Sequence, residues 1–177
     1  MAAAQHSDFG EQYVTQSDAP RCTIPLWKQL FNDVRLSADN TISCASFHTL
    51  PIGGVDGNKV SSGVGGQLGA INAPTVFNSA LNRKQFWDGR AATLQEQAGG
   101  PPLNPVEMAS TSWSEIIDKL KQDSSLTQQF LRVYPDGWSG ENIADAIAEY
   151  ATMLTPSRFD AYLRGDRDVL NSEELRG

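Results

Sequence analysis

The stretch KQLFNDVRLSADNTISCASFHTLPIGGVDG, residues 28–57, decides the fold, because it runs from a helical pattern through a cysteine and a histidine into glycine-rich chain. Its centre, ISCASFHTL at residues 42–50, has the outline of a c-type haem attachment site, in which thiols add to porphyrin vinyls and the adjacent histidine ligates the iron. Cys44 and His48 keep the spacing for one thioether and one ligand, whereas Phe47 stands where the second cysteine belongs. Taken alone, this pattern is a weak signal. On the pattern alone, Cys44 reads more readily as a small buried residue and His48 as a hydrogen-bonded structural histidine.

Upstream, Pro25 opens a short helix in which Leu26, Leu30 and Val34 fall at helical spacing, and SADN at residues 37–40 ends it with turn chemistry. Downstream, GGVDGNKVSSGVGGQLG at residues 53–69 is a long loop without apolar period, of the kind that covers a site or wraps a ligand. It lacks the glycine-lysine-serine/threonine ending of a phosphate loop and the dinucleotide spacing, so nucleotide binding is set aside. Further on, Thr93 with Glu96 caps a short helix that Gly99 stops, and Ser112 with Glu115 forms a capping box before Ile116, Ile117 and Leu120. Leu126 with Phe130, and Ile143, Ile147, Tyr150 and Leu154, mark two more helices. No alternating strand and no repeat is visible. The predicted fold is all-α with long loops: a flexible segment over residues 1–24, then one domain over 25–177.

The length, 177 residues, suits one domain or half of a larger protein. A net charge of −7 excludes non-specific nucleic-acid binding and fits a basic partner protein. No apolar run approaches the roughly 20 residues that span a bilayer. The opening MAAAQHSDFG has no basic-then-apolar leader layout, as expected either of a mature chain or of an expressed segment. Cys22 and Cys44 are too few for a disulfide framework. Cys22 has two readings, a disulfide to Cys44 that would occupy the thiol, or a stand-in for the missing one near the haem edge.

Four strings in one order, residues 28–57, NAPTVFNSALNRKQFWDGRAATLQEQA at 72–98, NPVEM at 104–108 and NIADAIAEYATMLTPSRFDAYLRGD at 142–166, resemble the N-terminal haem domain of bacterial dihaem cytochrome c peroxidases and their MauG-like relatives. The resemblance implies a cytochrome c-like helical domain carrying the peroxidatic haem, hydrogen peroxide as substrate and a periplasmic location. It also implies a second, electron-donating haem domain beyond SEELRG, and as partner a small redox protein such as a cytochrome or cupredoxin, or a larger periplasmic or membrane-associated complex. Residue by residue, it makes Cys44 the thioether cysteine, His48 the iron ligand, Gln97 and Glu107 the pair that positions and protonates peroxide, Trp87 the tryptophan between the two haems, and Asn72 a side-chain ligand for a possible calcium. Without it, Trp87 reads as core, Asn72 as a turn former, Glu107 as a solvated carboxylate and Gln97 as a surface amide.

The departures matter as much. Besides Phe47, Val64 stands where many relatives have a histidine that blocks the iron, Ile71 where they often have an arginine for a haem propionate, and Trp27 where glycine is usual. One consequence is a five-coordinate haem, open to peroxide without reductive activation. The other is a pocket filled by Phe47, Ile71 and Trp27 and turned into ordinary core. Retention of Cys44, His48, Gln97 and Glu107 tips the balance toward a single-thioether haem c. The rivals are a haem-lost interaction module and a mono-haem electron carrier without turnover.

Overall fold

A computed structural model describes residues 24–153, 158–163 and 165–176. Helix α1 is Ile24–Phe31, α2 Cys44–Phe47, α3 Leu94–Ala98, α4 Trp113–Leu120, α5 Ser124–Val133, α6 Gly140–Met153 and α7 Arg158–Leu163. Between them run long loops with short 3-10 turns, and the described residues hold only isolated bridges, Thr49 to Val55, Ser62 to Leu68 and Gln85 to Ala91. The all-α expectation therefore stands. Cys22 and Leu154, and the segment before residue 24, lie outside the described residues. Among those described, no helix is long and apolar enough to cross a membrane.

The helix starts are where local chemistry puts them. Ser112 Oγ accepts from the Glu115 N–H at 3.2 Å and Thr93 Oγ1 from the Glu96 N–H at 3.1 Å. The two glutamates reach one residue further back than a strict capping box. Glu115 accepts from the Thr111 N–H at 2.9 Å, and Glu96 from the Ala92 N–H at 2.6 Å. α5 is capped by Asp123, whose carboxylate accepts from the Leu126 N–H at 3.0 Å.

α1 differs from its prediction. It begins at Ile24 and ends at Phe31, and Val34 belongs to a separate 3-10 turn, Val34–Leu36. Asp33 caps that turn by accepting from the Arg35 N–H at 3.0 Å. The new turn changes the phase of the chain, so Val34 is exposed and Leu36 is fully buried.

α6 is the central helix and packs against both α1 and α3, while α1 also touches α5. Leu26, Leu30, Ile116, Leu120, Leu126, Phe130, Ile143 and Tyr150 are all fully buried around it. The rings of Phe31 and Tyr150 pack 5.1 Å apart, and those of Phe130 and Trp138 stack at 3.7 Å. Gly140 opens α6 directly under the Trp113 indole, where a Cβ would lie 2.6 Å from the ring. Three hydrogen bonds join the chain just before the Cys-His stretch to distant segments: Ala38 N–H to Met108 O at 2.8 Å, Ser110 Oγ to Leu36 O at 2.9 Å and Lys119 Nζ to Ser37 O at 2.6 Å. The first two tie residues 108–110 to residues 36–38, the chain that leads into α2.

Candidate functional site

α2 is a single turn. His48 is its C-cap, its N–H donating to Cys44 O at 3.0 Å, so the cysteine and histidine share one side of the turn. Both line a cavity of about 480 Å³. Phe31 of α1, Gln97 of α3, the small residues Ala148 and Ala151 of α6, and Glu107 from the loop after α3 face the same space. Asn72, Trp87 and Ile71 line it as well. The cavity thus gathers every site residue expected from the sequence, although Cys44 and Glu107 are far apart in the chain.

The His48 ring sits 3.3 Å from Gly54 O through Nδ1. A carbonyl can only accept, so this contact favours the tautomer with the proton on Nδ1, in which the neutral ring presents its lone pair at Nε2. Burial lowers the His48 pKa against the raising effect of the Gly54 and Pro74 carbonyls, which favours the neutral, ligating imidazole. Gly54 itself, at φ 71°, lies where a Cβ would come 3.0 Å from Val76 Cγ2, so the glycine lets the loop deliver that carbonyl. Cys44 is a free thiol, and burial, with a further contribution from Glu107, pushes its pKa up to about 12. It stays protonated at neutral pH, which protects it from oxidation and leaves it available for attachment.

Glu107 is half-buried, and burial raises its pKa against the opposing effects of Asn104 and Arg90. Asn104 Nδ2 donates to Glu107 Oε1 at 2.7 Å, so Oε2 is the oxygen left for chemistry. Asn104 and Arg90 both line the cavity and were not legible as site residues. For Asn104 the available signal was its place three residues before the carboxylate in NPVEM.

The segment 85–91 forms the rim. Gln85 N–H donates to Ala91 O at 2.9 Å, and Phe86 takes the left-handed backbone at φ 63°, a strained conformation for an aromatic residue. The Arg90 guanidinium lies 3.4 Å from the centre of the Phe86 ring and pairs with Asp88. Trp87 is 61% exposed, not core, with its indole N–H donating to Asn72 O at 3.0 Å.

The departures from the family pattern divide. Phe47 is buried and lines the cavity, and Ile71 lines it while 52% exposed. Trp27 is buried among the helices and is not on the cavity wall, so it does not fill the pocket. Val64 is also off the wall, and its N–H donates to Glu107 O at 2.8 Å.

Residues 22–168 match the family model described as di-haem cytochrome c peroxidase. The chain belongs to the di-haem cytochrome c peroxidase family. It is 65% identical over 180 residues to cytochrome c peroxidase Ccp of Escherichia coli K12, covering 99% of this chain and 38% of that protein. It is 47% identical to cytochrome c551 peroxidase of Nitrosomonas europaea, covering 86% of this chain and 46% of that one. Among solved structures, a MauG-like protein associated with microbial copper homeostasis superposes with a TM-score of 0.76 at 27% identity, over 93% of this chain and 51% of its own. The chain therefore spans less than half the length of these two peroxidases.

Proposed function

We propose that residues 25–177 form the peroxidatic, c-type haem-binding domain of a periplasmic cytochrome c peroxidase. The observation that carries the reading is the meeting of Cys44, His48, Gln97 and Glu107 on one cavity of about 480 Å³. The residues fit a haem on their own chemistry, with a protonated thiol and a neutral imidazole side by side on a largely apolar wall. His48 Nε2 would hold the iron and Cys44 Sγ one porphyrin vinyl, giving one haem in this domain with a single thioether. The bound haem iron supplies the electron chemistry that reduces hydrogen peroxide.

The chain's own residues supply geometry and protons. Glu107 Oε2 takes the proton from one peroxide oxygen and returns it to the departing one, while Oε1 stays on Asn104. A positioned acid-base group of this kind contributes about 10² to 10⁴ in rate. Gln97 orients the peroxide through its amide. Trp87, at the rim, faces the electron-donating domain, and a small cytochrome or cupredoxin supplies the electrons. Asn72 would offer a side-chain oxygen to a calcium, should one bind at this rim. Its carbonyl already accepts from Trp87, and no cluster of three His, Cys, Asp or Glu that could hold a metal occurs among the described residues. A second reading, an interaction module without haem, draws support from Phe47, which belongs to both the core and the cavity wall.

Denaturing mass spectrometry and an absorption spectrum of protein matured with haem-attachment machinery test the proposal. One haem covalently added, and lost to acidic organic solvent in Cys44→Ala, is the expected result. No haem under those conditions rejects it in favour of the interaction module, and haem without peroxide turnover when the second domain is supplied leaves an electron carrier.

A further inference from the structure

We propose that Gly63 is a positioning residue for Glu107: the absence of a side chain lets the glycine loop seat on the Val106–Glu107 backbone and fixes the direction from which the carboxyl enters the cavity. The inference rests on the reading above only in taking Glu107 as the group whose placement matters.

A Cβ built on Gly63 would lie 2.4 Å from both Val106 O and Glu107 O and 2.8 Å from Glu107 Cα. These are backbone atoms and cannot swing aside as a flexible side chain would. The Gly63 backbone, at φ −93° and ψ −162°, is extended and open to any residue, so glycine is required here for space and not for conformation. Gly65 and Gly66 are the reverse case, with φ of 66° and 77° and nothing within 4 Å of a Cβ.

The seated loop is a closed unit. Gly63 N–H donates to Gln67 O at 2.8 Å and Gly69 N–H to Ser61 O at 2.9 Å, and Ser62 bridges to Leu68. From this unit the Val64 N–H reaches Glu107 O at 2.8 Å. On its other side the acid is held by 101–104. Glu107 N–H donates to Asn104 O at 3.0 Å, the neighbouring Met108 N–H donates to Pro101 O at 3.3 Å, and the Met108 side chain is fully buried. The main chain of Glu107 is thereby clamped between two loops, and a shift of the glycine loop must move the acid with it. The charged and titratable groups that act on the Glu107 carboxyl or are acted on by it are Arg90 and Cys44.

The test uses the 177-residue chain without added haem, with isotope-labelled glutamate carboxyls, in wild type, Gly63→Ala and Gly65→Asn. Asparagine tolerates the left-handed backbone at position 65, so that variant is the control for disturbance of the same loop. In Gly63→Ala the Val64 amide should exchange about five- to ten-fold faster, as expected when one hydrogen bond is lost, and the Glu107 titration midpoint should move. Gly65→Asn should leave both unchanged. Unchanged exchange and an unchanged midpoint in Gly63→Ala overturn the proposal, as does an equal effect in both variants. Should Gly63→Ala fail to fold, the wild-type chain still decides the matter: a through-hydrogen-bond coupling between the Val64 amide nitrogen and the Glu107 carbonyl carbon is required, and its absence overturns the proposal. None of these readouts needs haem, so failure of the haem reading registers separately, in the mass spectrum.

Discussion

Phe47→Cys would complete the pair of thiols that the attachment stretch lacks, and the structure assigns it two opposite consequences. Phe47 is 7% exposed and belongs to the main core cluster. Truncating a buried Phe to Ala costs about 3–5 kcal/mol. Cysteine keeps one heavy atom beyond Cβ, and one side of the ring already faces the cavity, so the loss should fall near about 2–3 kcal/mol. For a chain of this length that corresponds to a melting temperature lower by roughly 4–12 °C, measured by circular dichroism on the chain without haem. A loss under about 0.5 kcal/mol, the range of ordinary surface changes, would refute the claim that the ring is core. After maturation with haem the variant should carry a second thioether. A thiol adds across a vinyl without losing atoms, so the mass of protein plus one haem is nearly blind to it. The pyridine haemochrome band, which moves to shorter wavelength as each vinyl leaves conjugation, is the discriminating measurement. An unmoved band would show that position 47 does not face the second vinyl.

Two further expectations concern the acid and the core. Burial raises the folded-state pKa of Glu107 above its ordinary 4.5, so this group's contribution to stability is fully present below that value and is lost as pH rises through the raised one. Glu107→Gln cannot titrate, and should gain on wild type in denaturant midpoint as pH rises above the ordinary 4.5; parallel behaviour of the two proteins would remove Glu107 as the cause. Gly140→Ala places a methyl 2.6 Å from the Trp113 ring and should cost about 1–3 kcal/mol by thermal melting, despite alanine's better helix propensity. A stabilised variant would show that the indole is free to step aside.

What could be read from the sequence was what depends on near neighbours. Ser112 and Thr93 were identifiable as caps because the donors they satisfy lie three residues on, and Cys44 with His48 because one helical turn brings them together. Val34 falls out of phase because the Asp33 carboxylate, accepting from the Arg35 N–H and guanidinium, restarts the turn, and periodicity carries no record of such a restart. Gln97 and Glu107 could be named through family resemblance alone, since their meeting depends on α3 packing on α6 and on residues 108–110 being tied to 36–38. Trp87 read as core by composition because an indole is usually sheltered, and its exposure follows from the left-handed turn at Phe86 that heads the rim. Gly63 had no local signal at all. Its requirement comes from a carbonyl of another loop.

The exposure of Trp87 gives the protein a built-in optical reporter. Of its four tryptophans, Trp27 is buried and Trp113 and Trp138 are half-buried, whereas Trp87 stands 61% exposed at the mouth of the cavity with its indole nitrogen pinned to Asn72. Red-edge emission and quenching by a small aqueous ion such as iodide therefore belong chiefly to one known position. A macromolecule that covers the mouth would dehydrate that single ring and move its emission to the blue, while the sheltered indoles would change little. In the chain without haem, which would otherwise quench the ring, docking at this rim can be followed with no dye attached and no residue replaced.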